Sequence, residues 1–338
     1  MRRLGSVVLL FAVACADEAP DGEDGESTAS AMDGSEGSTS SSSTTSNPAT
    51  DTASVTTDPS SGEEDSSSGS GVEPAPDPIV PEPSGECPEF VSGEQTIGDL
   101  FTLIEAGTPG DAKGPLLLYF HGTGSSPSYE VPVAITPTQR EEILGEGGLI
   151  VAPQSNGQDR GGFTPNGVWY EGEDGVGGDL AWVDHIVACA VANHNIDPMR
   201  IYTTGCSAGG LFSSGLALKR SNYIAAATPN SGGIIVGDTG TLQDPARVPN
   251  VMTMHGGTGD TVLVNFGQTS ALFDSVVVDA GGFAVDCNHM SGHCLAPDPL
   301  REAAWMFLKA HPYGTRPSPY AAELPAEFPE YCTIWSPG

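Results

Sequence analysis

From Pro115 to Ala310, short runs rich in apolar and β-branched residues alternate with stretches of helical period, and this alternation restricts the chain to few architectures. Pro115–Phe120, Gly148–Ala152, Arg200–Thr204, Tyr223–Thr228, Asn250–Met254 and Phe283–Asp286 have the length of strands. Thr138–Gly145, Asp179–His194, Ala208–Arg220, Phe266–Ala280 and Pro299–Ala310 read as helices. In the second of these, Leu180, Val183, Ile186, Val187 and Val191 recur at spacings of three and four, which puts them on one face. Strands apolar throughout, such as Pro-Leu-Leu-Leu-Tyr-Phe, must be covered on both sides. The expected fold is therefore α/β, a mostly parallel sheet with helices on both faces. Ligands of such sheets bind beyond the carboxyl ends of the strands. No internal repeat interrupts the pattern.

Upstream of this region the composition changes. Met1, Arg2 and Arg3 precede an apolar run, Leu4 to Ala14, that is too short to span a bilayer and reads as a signal peptide over residues 1–14. Ala12-Val13-Ala14-Cys15 is similar to the lipobox of bacterial lipoproteins, which makes Cys15 a candidate lipidation site; the alternative is ordinary cleavage after Ala14. Ala16 to Glu86 contains no Lys, Arg, Trp or Tyr. Such a segment cannot bury enough apolar surface to offset its ordering entropy, so residues 15–86 are expected to be a disordered acidic Ser/Thr/Pro-rich tether. The formal charge of -32 argues against nucleic acid as a partner. A membrane contact is expected only through the N-terminal lipid. Residues 87–338, about 250 residues, suit one catalytic domain.

Gly205-Cys206-Ser207-Ala208-Gly209 has the form G-x-S-x-G between a strand and a helix. In that setting the serine sits on a sharp turn, its neighbours two residues away must be small, and the following helix N-terminus favours developing negative charge. Ser207 is the candidate nucleophile. In chains that carry this serine motif between a strand and a helix, an acid and then a histidine follow the serine along the chain. Asp260 lies in a loop just past the Asn250–Met254 strand and is the candidate acid, ahead of Asp238, Asp244, Asp274 and Asp279. His293 is the candidate base, with His289 of the same Cys287–Cys294 loop as its competitor and otherwise a pocket residue. His121 and His255, beside glycines at strand ends, read as structural hydrogen-bonding residues, and the histidines lack a spacing suited to zinc. Oxyanion donors are expected from the backbone amides of Ala208 and of Thr123 in the His121-Gly122-Thr123-Gly124 loop, with Gly124 the next choice. Trp169 and Tyr170 are candidate pocket walls. About twenty residues separate the Tyr223–Thr228 and Asn250–Met254 strands, so no large lid is expected there. The implied chemistry needs no metal or organic cofactor.

These motifs, HGTG, GCSAGG, HGGTGD and CNHMSGHC, together with GVWYEG and IDPMRIYTTGCSAGG, resemble the polyhydroxybutyrate depolymerase and feruloyl esterase branch of the α/β-hydrolases. The resemblance runs over roughly Leu116 to Pro312 and implies an extracytoplasmic serine carboxylic-ester hydrolase with a Ser207–His293–Asp260 triad. Hydroxyalkanoate, feruloyl or acetyl esters, small or polymeric, would be its substrates. A serine peptidase or amidase of the same fold and a non-catalytic surface-binding module are the alternatives. Cys206 before Ser207 and Cys294 after His293 are similar to the tannase pattern, in which a disulfide joins the neighbours of serine and histidine. The alternatives are a free Cys206 and a local Cys287–Cys294 bridge. The remaining pairs are expected to be Cys189–Cys287 and Cys87–Cys332, the latter closing the ends of the domain.

Overall fold

The computed structural model describes residues 76–98, 100–155, 178–235 and 240–336. The signal segment, Cys15, most of the tether, Trp169 and Tyr170 lie outside the described residues.

The strands are β1 (Gly93–Ile97), β2 (Leu100–Ala106), β3 (Gly114–Phe120), β4 (Leu149–Pro153), β5 (Ile196–Cys206), β6 (Ala226–Asn230), β7 (Asn250–His255), β8 (Thr261–Val262), β9 (Val264–Asn265), β10 (Ala284–Asn288) and β11 (Cys332–Ile334). The helices are α1 (Pro127–Ala134), α2 (Pro137–Gly145), α3 (Gly178–Asn193), α4 (Ala208–Lys219), α5 (Phe266–Asp279) and α6 (Asp298–Ala310). Among the described residues, nine strands form one sheet in the order β1-β2-β4-β3-β5-β6-β7-β10-β11. The interior, from β4 through β3, β5, β6 and β7 to β10, is parallel. β1, β2 and β11 join antiparallel at the two edges. The expected parallel α/β sheet is present, and the antiparallel margins are an addition to it.

β3 shows why the interior must be sandwiched. Its seven residues are all buried. Leu116, Leu118 and Phe120 enter a core built with α3, α4 and α5, whereas Leu117 and Tyr119 enter a second core with α1, α2 and α6. α2 starts where its sequence says it should. Thr136 and Gln139 form a reciprocal capping box, and Pro137 occupies the first turn.

Residues placed in the tether by sequence also lie on the domain. Ile79 donates its amide to Asn222 O (2.8 Å), Val80 packs on the first core, and Ser84 Oγ is 3.2 Å from His185 Nδ1.

In the second core, His311 is fully buried, with Nδ1 2.7 Å from Phe307 O and Nε2 2.7 Å from Ser318 Oγ. Burial pushes its pKa down from 6.5 to about 4, against the opposing hydrogen bond to Phe307 O. A histidine held neutral in the fold contributes stability that is fully present above its unfolded value and is lost as pH falls through the folded one. Lowering the pH from 7 to 4 should therefore cost about 3 kcal/mol through this residue. Urea midpoints measured across that range should fall less steeply for His311→Gln than for the wild type; equal slopes would refute the assignment.

Candidate active site

Cys206 ends β5 and Ala208 begins α4, so the chain reverses within one residue. That residue, Ser207, has φ 55° and ψ -118°, outside the ordinary regions for an L-residue. It stands at the helix N-cap, yet its side chain makes no capping hydrogen bond. The turn is held from the backbone: Ser207 N donates to Asn230 O (3.1 Å), and Leu211 N donates to Ser207 O (2.8 Å). The flanking glycines are required by space. A Cβ on Gly205 would sit 2.5 Å from Phe120 O, and one on Gly209 would overlap Phe120 O and C. At the start of α4, the Ala208 amide is among those with no intrahelical acceptor.

Asp260 follows β7 and the short 3-10 turn Gly257–Gly259, and it is fully buried. Its Oδ1 lies 2.6 Å from His293 Nδ1. Its Oδ2 accepts from Ser231 Oγ (2.8 Å) and from the Gly256 amide (2.9 Å). Burial alone would raise the carboxyl's pKa. The hydrogen bonds from His293, Gly256 and Ser231 outweigh it and hold Asp260 below the ordinary carboxylate value. A carboxylate at Nδ1 places the ring proton there and leaves Nε2 with its lone pair. The His293 ring packs on Phe266 (centroids 4.8 Å apart), and its side chain keeps 29% exposure.

Ser231 was not anticipated from sequence. It has φ 45°, follows β6, donates to Asp260 and accepts from the Cys294 amide (2.9 Å), so one hydroxyl ties the acid to the histidine loop. Gly256 and Gly292 bring those two loops together: a Cβ on Gly256 would lie 2.6 Å from Gly292 O.

The His121–Gly124 loop follows β3. Gly122 packs against the elbow, since a Cβ there would lie 3.2 Å from Cys206 Sγ. The Gly122 amide is engaged by the Glu130 carboxylate (3.0 and 3.1 Å), which also accepts from Tyr119 OH (2.7 Å). Thr123 and Gly124 are exposed at the loop tip. His121 is buried, with Nδ1 2.7 Å from Gly122 O and Nε2 accepting from the Ser155 amide (3.0 Å). Burial lowers its pKa, and its ring braces the loop. Glu130, on a helix absent from the sequence reading, is the second residue missed.

Two solved structures share this architecture. Native pOPH matches with a TM-score of 0.56 at 18% identity, covering 74% of this chain and 97% of that one. Native sOPH matches with a TM-score of 0.56 at 19% identity, covering 75% and 97%. The chain has the α/β-hydrolase fold. Sequence relatives carry the names that the motifs led us to expect. This chain is 33% identical over 152 residues (45% of its length) to the bifunctional acetylxylan esterase/xylanase XynS20E of Neocallimastix patriciarum. It is 31% identical over 140 residues (40% of its length) to poly(3-hydroxyalkanoate) depolymerase C of Paucimonas lemoignei. The matches span only 20% and 31% of those relatives. No protein-family model matches the sequence.

The disulfides among the described residues are Cys206–Cys294, Cys87–Cys189 and Cys287–Cys332. The first is the expected pair, and its Cα atoms are 5.7 Å apart. The expected Cys189–Cys287 and Cys87–Cys332 bridges are corrected. The final segment does not return to the start of the domain but adds β11 to the β10 edge, where Cys332 is the register partner of Cys287. Cys87 instead meets Cys189 because the preceding segment runs along α3, where His185 contacts both Ser84 and Glu86 O. Since Cys206–Cys294 joins the two loops of the site, the double variant Cys206→Ala/Cys294→Ala should lose at least tenfold in ester turnover. Its denaturation midpoint should also fall, by about 2–4 kcal/mol in stability. Unchanged turnover would remove the bridge's positioning role.

His289 is also buried, but its Nδ1 accepts from the Ser291 amide (3.2 Å). Asp260 is thus brought to His293 and not to His289. Of the rival acids, Asp244 pairs with Arg247, Asp274 bonds Thr253, and Asp238 lies outside the described residues.

Proposed function

We propose that this chain is an extracytoplasmic serine carboxylic-ester hydrolase acting through an acyl-enzyme. The observation that carries the reading is the buried Asp260 carboxylate on His293 Nδ1, with Cys206–Cys294 tying that histidine's neighbour to the neighbour of Ser207. In the proposed reaction Ser207 Oγ attacks the ester carbonyl and His293 Nε2 takes its proton. The resulting oxyanion accepts hydrogen bonds from the amides of Ala208 and Thr123. Collapse expels the alcohol, which leaves with the proton from His293. Water, deprotonated by the same nitrogen, then releases the acid and restores Ser207. Asp260 stays ionised throughout and stabilises the imidazolium.

The names of the two relatives support acetyl and hydroxyalkanoate esters as the substrates to try first. Three disulfides suit an oxidising compartment, and export with a lipid on Cys15 is the proposed route. A fluorophosphonate probe should label the wild type and not Ser207→Ala. The wild type should cleave p-nitrophenyl acetate and leave peptide anilides intact. Absence of labelling would favour a binding module, and cleavage of anilides alone an amidase.

A further inference from the structure

The loop after β3 turns at Gly122, and the peptide groups on both sides of that glycine are pinned. Its amide donates to the Glu130 carboxylate of α1 (3.0 and 3.1 Å). Its carbonyl oxygen accepts from His121 Nδ1 (2.7 Å) and from the Ser125 amide (3.1 Å). His121 Nε2 is taken up as an acceptor by the Ser155 amide, which fixes the ring proton on Nδ1. Glycine is the residue whose own sterics restrain φ and ψ least, so these bonds set the course of the chain here. Thr123, next along the loop, is exposed, and among the described residues no acceptor engages its amide.

The direction of the Thr123 amide follows from those bonds. In a trans peptide the N–H of one residue points opposite to the carbonyl of the residue before it. Gly122 O is drawn toward the buried His121 ring, so Thr123 N–H leaves on the opposite, open side of the loop. Gly122 itself lies against the elbow. A Cβ on it would be 3.2 Å from Sγ and 3.5 Å from O of Cys206, the residue before Ser207. The donor is thus carried beside the nucleophile by a peptide whose orientation is fixed at Gly122.

Glu130 suits the task of holding that glycine. It lies in the first turn of α1, where the helix N-terminus favours a negative charge. Its Oε2 also accepts from Tyr119 OH (2.7 Å). Tyr119 is buried in β3; burial first and the carboxylate second push its pKa well above the ordinary phenol value, so it stays a donor. The carboxylate is therefore tied to the strand before the loop and carried by the helix after it. A hydrogen bond from an amide to an ionised carboxylate is about twice as strong as a neutral one. The same charge would repel an oxyanion, so the use of Glu130 is geometric and not electrostatic. We propose that Glu130 is a positioning residue of the hydrolytic site, holding Gly122 so that the Thr123 amide is aimed at the oxyanion. The role rests on the ester-hydrolase reading.

The experiment is steady-state hydrolysis of p-nitrophenyl acetate and of its thiono analogue by the wild type, Glu130→Gln, Glu130→Ala and Glu130→Asp, with melting temperatures as the control for folding. A thiono sulfur is a weak hydrogen-bond acceptor, so the ratio of the two rates reads the oxyanion donors and not the general integrity of the site. Glu130→Gln keeps an oxygen within reach of the Gly122 amide and should stay within about threefold of the wild-type kcat. Glu130→Asp keeps the charge but is a methylene short. It and Glu130→Ala should lose about 30-fold in kcat on the oxo ester, with KM changed by less than about threefold. On the thiono ester neither should lose more than about threefold. Should Glu130→Ala melt below the assay temperature, the Asp variant decides alone. Equal losses on both esters would make Glu130 a merely structural residue and overturn the proposal. Retention by Asp with loss by Gln would show that charge matters and not reach, and would overturn it too. So would oxo-ester turnover by Ala within about threefold of the wild type. A wild type that neither cleaves the oxo ester nor is labelled by fluorophosphonate would overturn the hydrolase reading and this role with it; with an active wild type, the preceding outcomes overturn this role alone.

Discussion

Ser207→Ala should lower turnover of p-nitrophenyl acetate by about 10⁴-fold or more while leaving the protein folded. The size of the loss follows from the proposed chemistry. Without the hydroxyl no acyl-enzyme forms, and only the oxyanion donors and substrate binding remain to assist water. The fold should survive because the serine side chain makes no capping bond and the turn is held by backbone contacts to Asn230 and Leu211. Alanine carries the same Cβ through the same φ of 55°. Single-turnover kinetics, with circular dichroism as the control for folding, would read both parts. Activity within tenfold of wild type would mean that the nucleophile lies elsewhere.

His293→Ala should match that loss, and the double variant with Ser207→Ala should be no worse than either single one, since members of a triad act as a unit. The buried Asp260 would keep its hydrogen bonds from Ser231 and Gly256, so a folded variant is expected. His289→Ala is the informative comparison. Asp260 accepts its hydrogen bonds from His293, Ser231 and Gly256, and the Nδ1 of His289 is occupied by the Ser291 amide. Its removal should cost less than tenfold in turnover and appear chiefly as a lower melting temperature, because the side chain is buried. The reverse ranking of His289 and His293 would transfer the role of base to His289. The depressed Asp260 pKa adds a sign. A carboxyl held below its ordinary value contributes stability above the unfolded value, near 3.8, and loses it as pH falls through the folded one. Asp260→Asn should abolish that part of the acid sensitivity.

The legible parts of this protein are those in which a local rule has one outcome. A strand apolar at every position, as in β3 and β4, must be buried on both faces, so the parallel interior was readable from the runs alone. The elbow was readable because a serine turn between strand and helix tolerates only small neighbours, and Gly205 and Gly209 have no room for a Cβ. The Cys206–Cys294 pair followed from a resemblance in the residues flanking Ser207 and His293.

Elements whose stability is lent by their neighbours were not readable. β11 is three residues long and exists because β10 offers it an edge, and β1 and β2 are likewise a marginal antiparallel pair docked on β4. Nothing in the spacing of Cys287 and Cys332 says that they are register partners, and nothing near Cys87 says that its segment lies along α3. The two mistaken bridges have this one cause: which cysteines meet is set by long-range pairing, which composition and period do not encode. The same holds for Ser231 and Glu130, ordinary polar residues in sequence that matter only because the sheet brings one to Asp260 and the other to Gly122. The sequence alone determined the layered parallel architecture and the order of the candidate serine, acid and histidine, because each rests on a local pattern. Which histidine meets the acid, which cysteines bridge and which polar groups hold the loops were decided by contacts between segments distant in the chain, where only the folded backbone brings the atoms within reach.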